Sequence, residues 1–200
     1  MKALCKKYYG KWKSQVSGTT LVELIVSFVV LLILVTATVA TLSPALNVFV
    51  KVSGMSRAQS VSDILIEKIT GELGAATGNV YISNDGSQIA YDDQTGHQVI
   101  MMTDESGEIN KLLLHYQSVH SADKTEILED AVDWYFTDKA YMNNSIQELS
   151  FSREDGTSCI KVHLKLENKK TGYTYDRDKI IECYKVNVDG FKSDEFPAVE

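Results

Sequence analysis

Proline is nearly absent from this chain: only Pro44 and Pro197 occur in 200 residues, alongside 12 glycines. So little of either leaves no place for long disordered linkers. Cations are missing between Lys13 and Lys51, and no ionisable side chain of any kind falls between Leu24 and Val50. Motifs that carry chemistry are missing too. There is no nucleophile motif, P-loop or dinucleotide fingerprint, so no catalytic residue is assigned and no cofactor is expected. His97, His115, His120 and His163 are too dispersed for a recognisable metal site, and the spacing of His115 and His120 matches no common zinc pattern. The acidic turns Asn84-Asp85-Gly86, Asp104-Glu105 and Glu154-Asp155-Gly156 do not follow the EF-hand ligand pattern and read as solvated turns. No metal is expected.

What the chain does have is an uneven distribution of charge. The formal net charge is −7, which argues against a basic surface for non-specific nucleic-acid binding. Residues 1–18 hold Lys2, Lys6, Lys7, Lys11 and Lys13 and no acid, so residues 19–200 carry −12. A basic head, an apolar run and an acidic remainder is the asymmetry of an exported or membrane-inserted protein, with the lysines retained on the cytoplasmic side.

The apolar run is strongest from Leu21 to Leu42, 22 residues, and about 20 suffice to cross a bilayer core as a helix. Ser27, Thr36, Thr38 and Thr41 can bond back to their own helix and need not break it. A secretory signal peptide fits poorly. Its apolar core runs roughly 7–15 residues and precedes a small-residue cleavage site. Here the run is longer, and the small-residue step Ser17-Gly18 comes before it.

Glu23 stands inside the start of this run. A carboxylate in a membrane costs about 2.5–3.5 kcal/mol at a helix centre on insertion scales, less near the end, and such residues usually have a partner. No lysine is near in sequence. A cut after Gly18 would create one partner, the α-amine of Thr19, about one helical turn from Glu23. The plainer alternative is an uncut signal-anchor helix with a stray glutamate.

The stretch Gly18-Thr19-Thr20-Leu21-Val22-Glu23-Leu24-Ile25-Val26, behind its basic leader, resembles the N-terminal signature of type IV prepilins and of the pseudopilins of type II secretion systems. The resemblance implies cleavage after Gly18 by a prepilin peptidase, N-methylation of Thr19, and neutralisation of a neighbouring subunit's N-terminal amine by Glu23 during filament assembly. Thr19 stands where that family usually has Phe.

Past Pro44, which is expected to kink the helix or end its first segment, Val52, Met55, Ala58, Val61, Leu65, Ile69, Leu73 and Ala76 recur at helical spacing. Lys51, Arg57, Asp63, Glu67, Lys68 and Glu72 are expected to face elsewhere, and Gly78-Asn79 is the expected stop. A continuous helix from Thr20 to about Thr77 would measure roughly 87 Å. From residue 80 the period becomes two. Short strands are expected at 80–82, 88–91, 98–102 and 112–116, and a strand is favoured over a short helix at 131–136. The last third reads as a meander of strands at 146–152, 159–167 and 173–188. Ile160, Val162, Leu164 and Leu166 alternate with Lys161, His163, Lys165 and Glu167, as in an antiparallel sheet covered on one face. Cys159 and Cys183 are symmetric about Thr171 in the hairpin turn, so they could face each other as a disulfide; a one-residue bulge would instead leave two thiols.

The expected fold class is therefore α+β: a long N-terminal helix, transmembrane in its first half and amphipathic in its second, packed on an antiparallel β-sheet head. Its parts are a cleaved leader (1–18), a membrane and filament-core helix (19–43), an amphipathic helix (44–78) and a β-rich head (79–200). The segment 69–76 is similar to the helix end of minor pseudopilins of the J type, which implies a minor subunit. The resemblance implies a single-pass protein of the cytoplasmic (inner) membrane, its head outside the cytoplasm, later part of an extracytoplasmic filament. The partners implied are a prepilin peptidase and methylase, other pilin or pseudopilin subunits, an inner-membrane assembly platform, and membrane lipid before assembly. Two other functions share parts of the pattern. A DNA-uptake pilin would need a basic patch, for which Lys161, Lys165, Lys169 and Lys170 are the candidates, against an overall acidity that disfavours nucleic acid. A membrane-tethered enzyme finds no catalytic constellation in its support.

Overall fold

A computed structural model of the chain describes residues 20–120, 127–192 and 196–197, with the side chains of His120 and Ile127 left aside. Gly18, Thr19 and Cys5 lie outside the described residues. The chain divides into two compact units, one reaching to Phe49 and the other starting at Val50.

Helix α1 runs from Leu21 to Ala75 and crosses that boundary. Its first part is rich in β-branched Val and Ile, which lower helix propensity in water. What favours a helix there is the apolar character of the run, because a helix satisfies every backbone group internally. Ser27, Thr36, Thr38 and Thr41 do bond back, donating to the carbonyls of Glu23, Leu32, Leu34 and Ala37 at 2.8–3.3 Å. Pro44 lies inside α1 and does not end it. A proline forfeits a single helical bond, and the flanking turns continue.

In the second unit α1 buries Ala58, Val61, Leu65, Ile69 and Leu73 as the spacing predicts, and also Gly54, Ser62 and Ile66. Val52 and Met55, by contrast, are exposed. The buried stripe enters at Gly54, where an added Cβ would stand 3.5 Å from Thr171 Oγ1. Glu72 is a second departure: it is half-buried and turned toward the sheet.

Strands β1 (Thr77–Ile82), β2 (Ile89–Asp92), β3 (Gln98–Asp104) and β4 (Lys111–Tyr116) form an antiparallel meander, completed by β7 (Val132–Tyr135) beside β4. β5 (Val119–His120) and β6 (Ile127–Glu129) make a separate two-stranded ribbon. β8 (Asn144–Arg153), β9 (Cys159–Asn168) and β10 (Thr174–Glu182) form a second antiparallel sheet. The short β11 (Phe191–Lys192) pairs with β1 in parallel, so the larger sheet is mixed rather than purely antiparallel. The fold is α+β, with α1 packed on a mostly antiparallel β structure.

One core joins α1 to both larger sheets: Leu65, Ile69 and Leu73 meet Tyr91, Met101 and Leu114 from one sheet and Phe151, Val162 and Leu164 from the other. β9 alternates strictly, with Ile160, Val162, Leu164 and Leu166 buried and the residues between them half-exposed. In β2 and β3 three consecutive residues are buried, Ile89–Tyr91 and Val99–Met101, so that sheet is covered on both faces.

Two boundaries differ from expectation. α1 stops at Ala75, and Gly78, the expected helix stop, lies in β1. Its φ of +68° and the register shift between Thr77 and Val80 make it a strand irregularity, and a Cβ there would stand 2.7 Å from Asp92 Oδ2. β10 ends at Glu182, not near 188, because the chain turns there, Val186 N donating to Cys183 O at 3.2 Å.

Candidate functional site

The site singled out by sequence begins at the first described residue. Thr20 precedes α1 and acts as its cap: Glu23 N donates to Thr20 Oγ1 at 3.3 Å, and Leu24 N to Thr20 O at 3.1 Å. Thr20-Leu21-Val22-Glu23 has the Thr-x-x-Glu spacing of a capping box, a local signal overlaid by the membrane run. Glu23 is the acid of the first helical turn, where the unpaired N–H groups favour negative charge. From Thr20 to Val52 every residue is exposed. α1 is thus long and apolar enough to cross a membrane.

The two cysteines are not brought face to face. The β9–β10 register sets Cys159 opposite Glu182, and Cys183 N donates to Ser158 O at 2.9 Å. The hairpin is centred between Lys170 and Thr171, half a residue from the symmetry point of the two cysteines. Of the two arrangements the sequence allows, the offset is the one that leaves two separate thiols. Both thiols are free, Cys159 half-buried and Cys183 buried. Burial pushes the Cys183 thiol up to about 11.

The histidines, dispersed in sequence, all find carboxylates where their side chains are described. His97 Nε2 meets Glu129 at 2.8 Å, and His115 Nδ1 meets Asp133 at 2.6 Å. His163 Nδ1 lies 2.7 Å from Asp178 Oδ1 and 3.4 Å from Asp176 Oδ1. Sequence spacing missed this last grouping because its members come from two strands. An imidazole and two carboxylates are a donor set that divalent cations accept. Here Lys161 Nζ already sits 3.0 Å from Asp178 Oδ2, so the group reads as a cross-strand ion ladder. His115 with Asp133 has the form of a catalytic dyad, but the imidazole Nε2 is buried and has no hydrogen-bond partner among the described residues, closed to a reacting group. It fastens β7 to β4.

Of the four lysines considered for DNA, two are set among acids, while Lys169 and Lys170 lie exposed in the β9–β10 turn. Lys161 pairs with Asp178, and Lys165 stands between Glu148 and Asp176 in the register. The acidic turns bind themselves. Asp85 accepts from the hydroxyls of Ser83 and Ser87, and these bonds bring its carboxyl down to about 2.

One polar node was not legible in the periodicity. Tyr91 and Tyr116 donate to Glu72 at 2.8 and 3.3 Å, Lys68 Nζ lies 2.6 Å from the same carboxylate, and Lys68 stands 4.2 Å over the Trp134 ring. The node ties α1 to β2, β4 and β7. Compared with models of known protein families, with curated proteins and with solved structures, the chain matches none.

Proposed function

We propose that the chain is a structural subunit, and a minor one, of a type IV pilus-like or type II secretion pseudopilus filament. On this reading it enters the cytoplasmic membrane through α1, and a prepilin peptidase cuts after Gly18 and methylates Thr19. It then joins other pilin-like subunits at an inner-membrane assembly platform. Glu23 neutralises the new N-terminal amine of an adjacent subunit. One observation carries the reading: a single carboxylate, Glu23, set in an otherwise uncharged run from Leu21 to Val50, five residues after the glycine that ends a basic leader.

Physical chemistry supports it at two points. The uncapped apolar surface of residues 21–50 is far larger than a soluble monomer exposes and calls for lipid or other apolar helices as its cover. The helix cap and dipole offset only part of the cost of Glu23 in that setting, which leaves a role for an amine. Gly18→Ala tests the maturation step. The expected outcome is a heavier, uncleaved precursor in membranes by intact-mass spectrometry; normal trimming of the variant contradicts it.

A further inference from the structure

The cations of the second unit are unevenly placed. Residues 50–200 hold 15 Lys and Arg against 26 Asp and Glu, a net charge of −11. Yet no acid occurs between Leu24 and Ser62, or between Asn168 and Tyr175, and these two stretches supply Lys51, Arg57, Lys169 and Lys170. Without those four the unit carries −15. The fold brings the two stretches together. Gly54 of α1 is buried, and a Cβ added there would stand 3.5 Å from Thr171 Oγ1 in the β9–β10 turn. Lys51 and Arg57 lie three residues before and after Gly54, so they flank that contact on one side of the helix. Lys169 and Lys170 immediately precede Thr171. The turn itself is fixed from beneath. Lys170 N and Thr171 N each donate to Asn168 Oδ1 at 3.1 Å, and the buried Asn168 donates from Nδ2 to Asn144 Oδ1 at 3.2 Å. Lys169 N donates to Asn143 O at 2.9 Å.

All four cations are exposed, and none forms an ion pair among the described residues. Asp63, the next acid along α1, is already taken up by Arg177. The place of this basic collar in the chain points to what it meets. Lys51 follows Val50, where the uncharged run ends, and the exposed Val52 and Met55 carry apolar surface about one turn further. A helix long enough to cross a bilayer, followed at once by cations and a fringe of apolar side chains, matches the boundary between hydrocarbon and headgroups. Nucleic acid fits less well: Lys161 and Lys165 are set among acids, so no basic stripe runs on from the turn along β9. We propose that Lys51, Arg57, Lys169 and Lys170 form a docking surface for the anionic headgroups of the membrane that α1 enters. The proposal rests on reading α1 as a membrane span and not on filament assembly.

Lysine acetylation of the full chain in lipid nanodiscs, with an uncharged reagent and a residue-by-residue mass-spectrometric readout, tests it. Discs of phosphatidylcholine are compared with discs of an equal mixture of phosphatidylcholine and phosphatidylglycerol. Lys169 and Lys170 are expected to react about fivefold more slowly in the anionic discs. Lys185, exposed beyond the far end of β10, is expected to stay within about twofold of its rate in neutral discs. Lys51→Gln combined with Arg57→Gln should reduce the protection of Lys169 and Lys170 to less than about twofold, and added salt should do the same. Equal rates at Lys169 and Lys170 in the two kinds of disc, or equal slowing at Lys185, would overturn the proposal. Protection that arises in neutral discs from a second chain in the same disc, or from an added DNA duplex, would reassign the surface and overturn it as well. A chain that co-elutes with neither kind of disc would overturn the membrane-span reading itself, a result distinct from unchanged rates in loaded discs.

Discussion

Glu23 is decided by the size of competing terms. A negative charge in the first helical turn gains about 0.3–1 kcal/mol from the helix dipole. Burial in lipid costs about 2.5–3.5 kcal/mol at a helix centre and less near its end. The cap and dipole offset part of that cost, and a neighbouring cation offsets more of it. Glu23→Gln keeps the shape of the side chain and abolishes its charge. Under the filament proposal the variant is still trimmed after Gly18 but enters sheared filaments about tenfold less, as read by immunoblot; undiminished incorporation removes the role given to this carboxylate. Glu72 is the other carboxylate with a named task. Burial first, then the Glu72 charge, pushes the hydroxyl of Tyr116 up to about 12 and that of Tyr91 well above its ordinary value. A hydroxyl held protonated in the folded state contributes stability that is complete below its unfolded value near 10 and is lost as pH rises through the folded one. The urea midpoint of the detergent-solubilised chain is accordingly expected to fall between pH 10 and 12, and less steeply in Tyr116→Phe. A midpoint flat across that window would count against the node.

Elements show which physical signals are written locally. β9 was legible because its alternation is strict and one of its faces is buried. The apolar half of α1 was legible from its length. Glu72 was not, because its hydroxyl partners come from β2 and β4, and no periodicity in α1 announces them. The cysteine offset escaped for a related reason: a hairpin centre that differs by half a residue reverses which face a side chain takes. β11 is two residues long and pairs in parallel with β1 from the other end of the chain, so no local pattern marks it. Gly78 fits a helix stop in sequence because a left-handed glycine serves that purpose as well as a strand irregularity. Gly86 and Gly156 separate conformation from crowding. Their φ values are +72° and +73°, but a Cβ at Gly86 would stand 2.8 Å from Phe151 O, whereas one at Gly156 meets nothing within 4 Å. Gly156→Ala is expected to cost about 1 kcal/mol, the strain of a non-glycine residue in that region. Gly86→Ala adds a backbone clash and is expected to exceed it by about 1–2 kcal/mol in chemical denaturation. Equal costs would mean that the Gly86–Phe151 contact is not tight.

At the scale of the whole molecule, the division by charge and hydropathy was plain in the sequence, while the boundary between compact units was not. It falls at residues 49 and 50 inside a continuous helix, five residues past Pro44. Packing sets it: the second unit starts where α1 first has a sheet to bury against, and Gly54 is the first buried residue. The acidic remainder is likewise organised by contacts that charge counting cannot show. Asp176 and Asp178 are taken up by His163 and Lys161 across the β9–β10 pair, and Lys165 stands between Glu148 and Asp176.

Extraction of the protein from the membranes of a cell that carries a prepilin peptidase, followed by N-terminal sequencing, bears most directly on the filament proposal. Trimming at the basic leader gives a chain that begins at Thr19, with its amine methylated. A chain that begins at Met1, or at any residue other than Thr19, contradicts both the cleavage and the pairing assigned to Glu23.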